Sequence, residues 1–408
     1  MAGQGTISLG DAVRIGGAQA FNLMIKPVGS ACNLSCRYCY YLDKSGIYGG
    51  REPAMSAGML ETVVREYIRA NDVPEVQFNW HGGEPLAAGL PFFRKAVELE
   101  RRYAGGKVIR NTIQTNGTLI TREWAEFFAA NGFLVGISID GPQAVHDRYR
   151  PDRGGSPTFA RAIKGLEALK AAGVEFNTMS AVSKAAEGRG VEIYRFLKGI
   201  GSRHMQFMPV LEHVLDSRIV PPSTPGSKPG KWSVSAEGFG QFLCEIFDYW
   251  VKRDVGKVFV GQFDAALASW CGMGPGICVY NRSCGGNSVI EHNGDVYPCD
   301  HFVYPGRKLG NIASDDLKAM MRSEAQIRFG MDKRDSLPRK CLECRYLFAC
   351  NGECPKHRFS RTAAGEPGLN TLCEGYRHFY SHTEPYFARM RDLLLAGSAP
   401  AEIMRELK

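Results

Sequence analysis

The stretch FNLMIKPVGSACNLSCRYCYY, residues 21–41, joins an apolar run to three cysteines. FNLMIKPV (21–28) reads as a buried strand. The loop after it carries Cys32, Cys36 and Cys39, spaced x3 and x2. Thiolates this close repel one another unless a cation neutralises them, so the loop asks for a metal or a cluster. A four-iron cluster ordinarily takes four protein ligands, and three on one loop leave one iron open to an outside ligand. A zinc site with a distant fourth ligand is the other possibility. Zinc motifs use pairs with a second pair far away, and the triple spacing fits that poorly.

The pattern continues outward. Candidate strands follow at VQFNWHG (76–82), NTIQTN (111–116), LVGISID (134–140), EFNTMSAV (175–182) and HMQFMPV (204–210). Helical patterns lie between them near 56–71, 91–104, 121–131, 157–172 and 189–200. In the first, Ser56 is a candidate N-cap, with Leu60, Val63, Val64, Tyr67 and Ile68 as the buried stripe. In the fourth, Phe159, Ile163, Leu166 and Leu169 share a face and Gly173 ends the helix. This alternation predicts an α/β fold with a parallel sheet, either doubly wound or a partial or full barrel. In both, sites form where strands end. CNLSCRYCYY, HGGEP, QTNG and SIDGP each follow one of the first four strands, so one shared mouth is expected. The glycines of HGGEP let backbone approach a ligand, and Glu84 offers a counter-charge to an ammonium group. Further on, DSRIVPPSTPGSKPGKWS (216–233) reads as a loop or linker. Helices are expected near 236–254, 261–271 and 379–396, and SVIEHNGDVYPCD (288–300) as a hairpin turning at Asn293-Gly294.

A chain of 408 residues exceeds one ordinary core. The expected division is an extension (1–20), the strand–helix domain (21–232), a helical connector (233–277), a cysteine-rich domain (278–375) and a helical end (376–408). With 44% hydrophobic and 23% charged residues it reads as soluble and globular. The net charge of +8 is spread along the chain without a basic block, which gives no sign of nucleic-acid or membrane binding. No apolar run has the length of a membrane span, and MAGQGTISLGDAVRIGGAQA is not a signal peptide, so a cytoplasmic location is expected. Thirteen cysteines in a reducing compartment are no disulfide framework. Eight of them fall between 278 and 373, enough for two four-ligand sites of zinc or iron–sulfur. That region is turn-rich, has little core of its own and would need metal to hold it. Cys244 and Cys271 stand apart as buried thiols.

The triple spacing with Tyr38 before its last cysteine, together with Gly82-Gly83-Glu84-Pro85, resembles the signature of the radical SAM superfamily. The resemblance implies a partial (β/α)6 barrel, a four-iron cluster on Cys32, Cys36 and Cys39, and S-adenosylmethionine (SAM) at the open iron. Cys278-x5-Cys284-x14-Cys299, Cys341-x2-Cys344-x5-Cys350-x3-Cys354 and Cys373 are similar to the C-terminal SPASM extension. That likeness implies two auxiliary four-iron clusters, three clusters in all. One would sit on Cys278, Cys284, Cys299 and Cys354, the other on Cys341, Cys344, Cys350 and Cys373. Full ligation suits them to electron transfer. YCYY, WHGGEP, QTNGTLI, GISIDGP, NGDVYPCD and FACNGECPKHRFSR, from roughly Phe21 to Tyr380, resemble the anaerobic sulfatase-maturating enzymes.

The implied reaction oxidises a cysteine or serine of a sulfatase polypeptide, in a Cys/Ser-x-Pro-x-Arg context, to formylglycine. A 5′-deoxyadenosyl radical removes a hydrogen from the substrate β-carbon. A ferredoxin or flavodoxin would be the electron donor. The resemblance also implies SAM contacts at Tyr38, Gly83, Glu84, Ser138, Arg150 and Leu211, and Asp300 as the base. Tyr40 and His81 would face the peptide, although some family members have glutamine where His81 stands. Two other readings share these features: a SPASM-type enzyme forging thioether or carbon–carbon links in peptides, and a non-catalytic zinc-binding interaction protein.

Overall fold

A computed structural model of the protein describes residues 21–49, 54–216, 218–221 and 224–407. The extension expected at 1–20 lies outside them. β1 (Asn22–Ile25), β2 (Glu75–Trp80), β3 (Val108–Thr115), β4 (Leu134–Ser138), β5 (Phe176–Val182) and β6 (His204–Pro209) lie side by side in chain order, every pair parallel. α1 (Ala57–Ala70), α2 (Leu90–Tyr103), α3 (Arg122–Ala130), α4 (Gln143–Tyr149), α5 (Phe159–Ala171) and α6 (Gly190–Gly199) connect them. A doubly wound sheet reverses its strand order at a switch point, whereas this order runs straight through, as in a barrel wall. The wall stays open: β10 (Phe259–Val260) flanks β6 at one edge and the far edge lies beyond β1. The molecule is therefore an α/β partial barrel.

Local rules account for the elements. Ser56 caps α1 by accepting from the Met59 amide, and Leu60, Val63, Val64, Tyr67 and Ile68 are buried. Gly173 takes a positive φ of 70° just past α5. In α5 the buried stripe is Ala162, Gly165, Leu166 and Leu169, with Phe159 and Ile163 only half-buried. The shift has a steric cause. A Cβ on Gly165 would stand 2.1 Å from the Gly117 carbonyl oxygen, so the bare helix backbone presses on the QTNG turn. α4 was not expected, because one buried side (Val145, His146, Tyr149) over seven residues is too short a pattern to read.

The stretch 216–233 is not simply a loop. β7 (His213–Leu215), β8 (Arg218–Val220) and β9 (Lys228–Pro229) form a small antiparallel sheet just past β6. The NGD hairpin is present as β11 (Asn287–Ile290) and β12 (Asp295–Tyr297), with Gly294 at φ 89°. Its first strand does something the sequence does not announce. β11 pairs in parallel with β1, Asn22 with Asn287 through Ile25 with Ile290, and β13 (Gly310–Asn311) closes this edge. The cysteine-rich part thus continues the barrel sheet.

α7 (Ala236–Trp250), α8 (Gly261–Trp270) and α10 (Cys373–Leu395) complete the core, while α9 (Glu324–Asp335) packs Phe329 against Phe302 of the cysteine-rich part. α10 begins at Cys373, earlier than the sequence suggests. α7 and α10 meet backbone to backbone: a Cβ on Gly375 would lie 2.0 Å from the Ala236 oxygen, and one on Gly240 2.6 Å from the Gly375 oxygen. Phe247, Phe263, Phe379 and Phe387 pack edge and face across the three helices α7, α8 and α10. No helix among the described residues is long and apolar enough to cross a membrane.

Candidate active site and cysteine groups

The four strand-end motifs do converge, and hydrogen bonds tie them in sequence. The Gly83 amide donates to the Gly29 oxygen and the Glu84 amide to the Ala31 oxygen, each at 2.9 Å, which fixes the GGEP turn to the lead-in of the cysteine loop. Gly83 has no room for a side chain, since a Cβ would lie 2.1 Å from the Ala31 oxygen. The QTNG turn adds Asn116, whose Nδ2 donates to Asn33 Oδ1 at 2.9 Å and approaches Cys32 Sγ at 3.8 Å. The loop after α4 holds the other side: Ser35 donates to the Pro151 oxygen and Arg37 to the Tyr149 oxygen. Cys36 faces both Cys32 and Cys39, and burial pushes the Cys32 thiol up to about 12. A bare set of such thiols resists ionising, so the donor chemistry fits a site completed by a cationic cluster.

Glu84 joins two of these turns. Its carboxylate is fully buried. Oε1 accepts from Thr115 Oγ1 at 2.7 Å and the Leu86 amide at 3.1 Å, and Oε2 from the Asn116 amide at 2.8 Å. Burial raises it to about 7 against these hydrogen bonds. The side chain clamps the GGEP and QTNG turns together and also lies within electrostatic reach of the Cys32 thiol. Tyr38 and Arg150 are brought together by a residue not singled out in the sequence. Asp140 Oδ2 accepts from Tyr38 Oη at 2.6 Å and from Arg150 Nε at 2.9 Å, while Oδ1 accepts from the Ala181 amide at 2.9 Å. Arg150 lies near Cys36. Ser138, at the end of β4, accepts from Gln114 Nε2 at 3.0 Å. Leu211 is buried in the main core just past β6.

Asp300 sits in a buried polar nest. Its Oδ2 accepts from Tyr40 Oη at 2.5 Å and lies 3.8 Å from Lys26 Nζ. Burial opposes its charge, yet His301, Lys26, His81 and the Tyr40 hydroxyl outweigh it and hold the carboxyl below its ordinary range. Burial also pushes His301 down to about 3 and His81 to about 4, so both imidazoles are neutral near pH 7, and burial lowers Lys26 from its ordinary value as well. Lys26 is fully buried, its ammonium 3.3 Å from the centre of the Tyr41 ring. Tyr40 is braced from the cysteine-rich part, with His301 at 4.9 Å and Lys356 Nζ 3.9 Å above its ring. Lys356 pairs with Glu212, which directly follows Leu211. Lys26, Asp140, Glu212 and Lys356 all act across long sequence separations, which is why spacing alone does not reveal them.

The remaining ligand-type cysteines fall into two sets. Cys299 faces Cys278 and Cys354, and Cys354 also faces Cys284. Cys350 faces Cys341 and Cys373, and Cys373 also faces Cys344. Cys341, Cys344, Cys350 and Cys373 line a single cavity of about 360 Å³ together with Tyr346 and Tyr376. Burial pushes Cys350 up to about 12 and Cys373 to about 11. The interleaving of Cys350 and Cys354 between two sets, which spacing cannot show, is thus present in the fold. Cys244 is buried and Cys271 half-buried.

Comparison with known proteins identifies the family. Residues 27–196 match the model of the radical SAM superfamily, and residues 280–345 that of the SPASM iron–sulfur cluster-binding domain. A serine-type anaerobic sulfatase-maturating enzyme of Bacteroides thetaiotaomicron is 49% identical over 96% of both chains. A cysteine-type enzyme of Clostridium perfringens is 31% identical over 89% of this chain and 96% of its own. The solved structure of native anSMEcpe with bound AdoMet and Cp18Cys peptide superposes with a TM-score of 0.81 at 30% identity, covering 92% of this chain and 99% of that one. By fold, by motif and by similarity along nearly its whole length, the chain belongs to the anaerobic sulfatase-maturating enzymes of the radical SAM superfamily.

Proposed function

We propose that this enzyme oxidises a serine or cysteine of a sulfatase polypeptide, within a Cys/Ser-x-Pro-x-Arg context, to formylglycine. The observation that carries the residue assignment is Asp300, a buried carboxylate held by Tyr40 and Lys26 directly after Cys299. When bound, SAM and a reduced four-iron cluster on Cys32, Cys36 and Cys39 supply a 5′-deoxyadenosyl radical that takes hydrogen from the substrate β-carbon, and clusters on the two auxiliary cysteine sets supply electron acceptors. The chain's own residues do the rest. The backbone at Gly83, with Tyr38 and Arg150 locked by Asp140, holds SAM, and Ser138 and Leu211 complete its pocket. Tyr40 and His81 face the peptide. Asp300 takes the proton of the substrate hydroxyl or thiol, which becomes far more acidic once its carbon has lost hydrogen. Its neighbours hold the carboxyl below its ordinary range, so it enters the step as a carboxylate. The enzyme works in the cytoplasm and draws electrons from a ferredoxin or flavodoxin.

Serine is the preferred target. Relatives at 49% and 37% identity are serine-type, and the cysteine-type ones stand at 31%. Anaerobic incubation of the enzyme with SAM, reductant and paired Ser-x-Pro-x-Arg and Cys-x-Pro-x-Arg peptides is the direct test. Aldehyde formation on the serine peptide is expected. SAM cleavage without aldehyde on either peptide, or a crosslinked product, refutes the reading. Asp300→Asn should still cleave SAM while its formylglycine yield collapses by about 100-fold or more, in line with the loss of a positioned base. Equal loss of both activities removes Asp300 from that role.

A further inference from the structure

The segment Cys350–Cys354 joins the two auxiliary cysteine sets, and its backbone has an unusual shape. Asn351, Gly352 and Glu353 are consecutive residues with φ of 47°, 68° and 51°. Left-handed backbone at two non-glycine residues in a row of three is strained and persists only where its surroundings enforce it. One side chain braces all three of their carbonyl groups. Arg358 donates from Nε to the Gly352 oxygen at 2.9 Å, and from Nη2 to the Asn351 oxygen at 2.9 Å and the Glu353 oxygen at 3.2 Å. Nη1 donates to the Lys333 oxygen. A Cβ on Gly352 would stand 2.6 Å from Nη2, so the loop is wrapped tightly around the guanidinium.

Arg358 is half-buried, and among the described residues no carboxylate forms an ion pair with it. Glu353, the nearest acid in the chain, turns its carboxylate to His357 Nδ1 at 2.9 Å and Asn370 Nδ2 at 2.7 Å. Besides Glu353, the groups that face the guanidinium are thiols of both sets: Cys341 and Cys350 from one, Cys354 from the other. Cys284 of the second set faces it as well. Lys333 makes a useful contrast. It is buried, donates from Nζ to the Cys278 and Val279 oxygens, and faces Cys284 and Cys354 of one set only.

We propose that Arg358 is the shared counter-charge of the two auxiliary cysteine sets, raising the reduction potential of the cluster bound at each and coupling them across the 350–354 segment. The inference rests on the reading that both sets hold clusters. Reduction adds one negative charge to a cluster, so a fixed cation nearby favours the reduced form. Lys333 does the same for the Cys278 set alone. Arg358 is a positioning residue for electron acceptance and touches no substrate.

The test is an EPR-monitored redox titration of the full-length, anaerobically reconstituted enzyme, with iron and sulfide counted first. Arg358→Gln should lower both auxiliary midpoint potentials. At a fixed ambient potential, the reduced-to-oxidised ratio of each should fall about tenfold, which is about 59 mV for one electron. Arg358→Lys, which keeps the charge with fewer hydrogen bonds, should stay near wild type. Lys333→Gln should move one signal only. Unchanged potentials in an iron-replete Arg358→Gln overturn the inference, as does an Arg358→Lys displaced equally, since fork geometry would then be the cause. Loss of iron in both Arg358 variants makes the residue a loop brace and also overturns it. If only Arg358→Gln loses iron, the charge serves to retain the clusters and not to set their potential, which overturns the inference too. Wild type that binds zinc without iron overturns the cluster reading, and the inference with it.

Discussion

Asp140 shows how much of the site depends on a residue that contacts its partners across the fold. It fixes the Tyr38 hydroxyl and the Arg150 guanidinium with one oxygen. Removing its charge leaves Arg150 buried and uncompensated. Asp140→Asn should therefore weaken SAM binding by about tenfold or more, since a lost buried charge partner is worth more than 1.4 kcal/mol. Equilibrium binding of SAM to the iron-replete variant checks this; unchanged affinity would show that Arg150 holds its place alone. Asp140 stands in the quoted SIDGP motif, yet nothing in the spacing tells that it meets Tyr38. Glu84 shows the converse. Its motif is legible, but whether the carboxylate faces the mouth or the turn behind depends on neighbours at Thr115 and Asn116, which sequence order does not place. Away from the mouth, Glu100 is buried, accepts from Asn111 Nδ2 at 2.7 Å, and is raised by that burial to about 7. The folded state holds this proton more tightly than the unfolded one. Stability therefore falls as pH climbs from about 4.5 to about 7, and remains lowered above that. Glu100→Gln should melt like wild type near pH 4.5 and higher than wild type at pH 8, by a ceiling of about 3 kcal/mol. Melting curves of the two proteins that run parallel at both pH values would contradict this.

At the level of elements, close backbone approach sets the arrangement. α5 rests on the QTNG turn through Gly165, and α7 rests on α10 through Gly240 and Gly375. Gly165→Ala must push the helix away from a carbonyl at 2.1 Å and should destabilise by about 1–3 kcal/mol. Gly58, exposed in the first turn of α1 with nothing within 4 Å, is the control. Gly58→Ala should be neutral or gain up to about 1 kcal/mol from helix propensity. Thermal denaturation separates the two, and equal shifts would mean that α5 has slack the packing does not show. The six barrel strands and five of their helices are legible because each buries a stripe with its own period. α4 and the β7–β9 sheet are not, being too short for a period to establish itself. β11 is legible as a hairpin strand, but its partner β1 is fixed by tertiary packing alone.

For the whole molecule, the cysteines divide the labour. Three groups of thiols lie in one chain, each gathered from a different set of loops. The sequence shows that eleven of the thirteen cysteines cluster. It does not show why Cys350 and Cys354, with three residues between them, belong to different sets. The left-handed segment wrapped around Arg358 supplies that reason by turning the chain sharply between them. The buried Lys356–Glu212 pair and the Tyr40–Asp300 bond then fasten the cysteine-rich part onto the barrel, so the proposed base comes from one part and its brace from the other.

The parallel pairing of β1 with β11 also bears on how the protein is made. Asn22 must wait on the ribosome for Asn287, so the outer edge of the first strand stays unpaired through most of translation. Contacts this distant in sequence slow folding, and open strand edges invite aggregation. A chain released at residue 277 should therefore be recovered as aggregates despite its complete set of barrel strands. The full-length protein should stay dispersed under the same expression conditions, with light scattering of the two lysates as the measurement. The last third of the chain is then a condition for the first strand to find its place during synthesis.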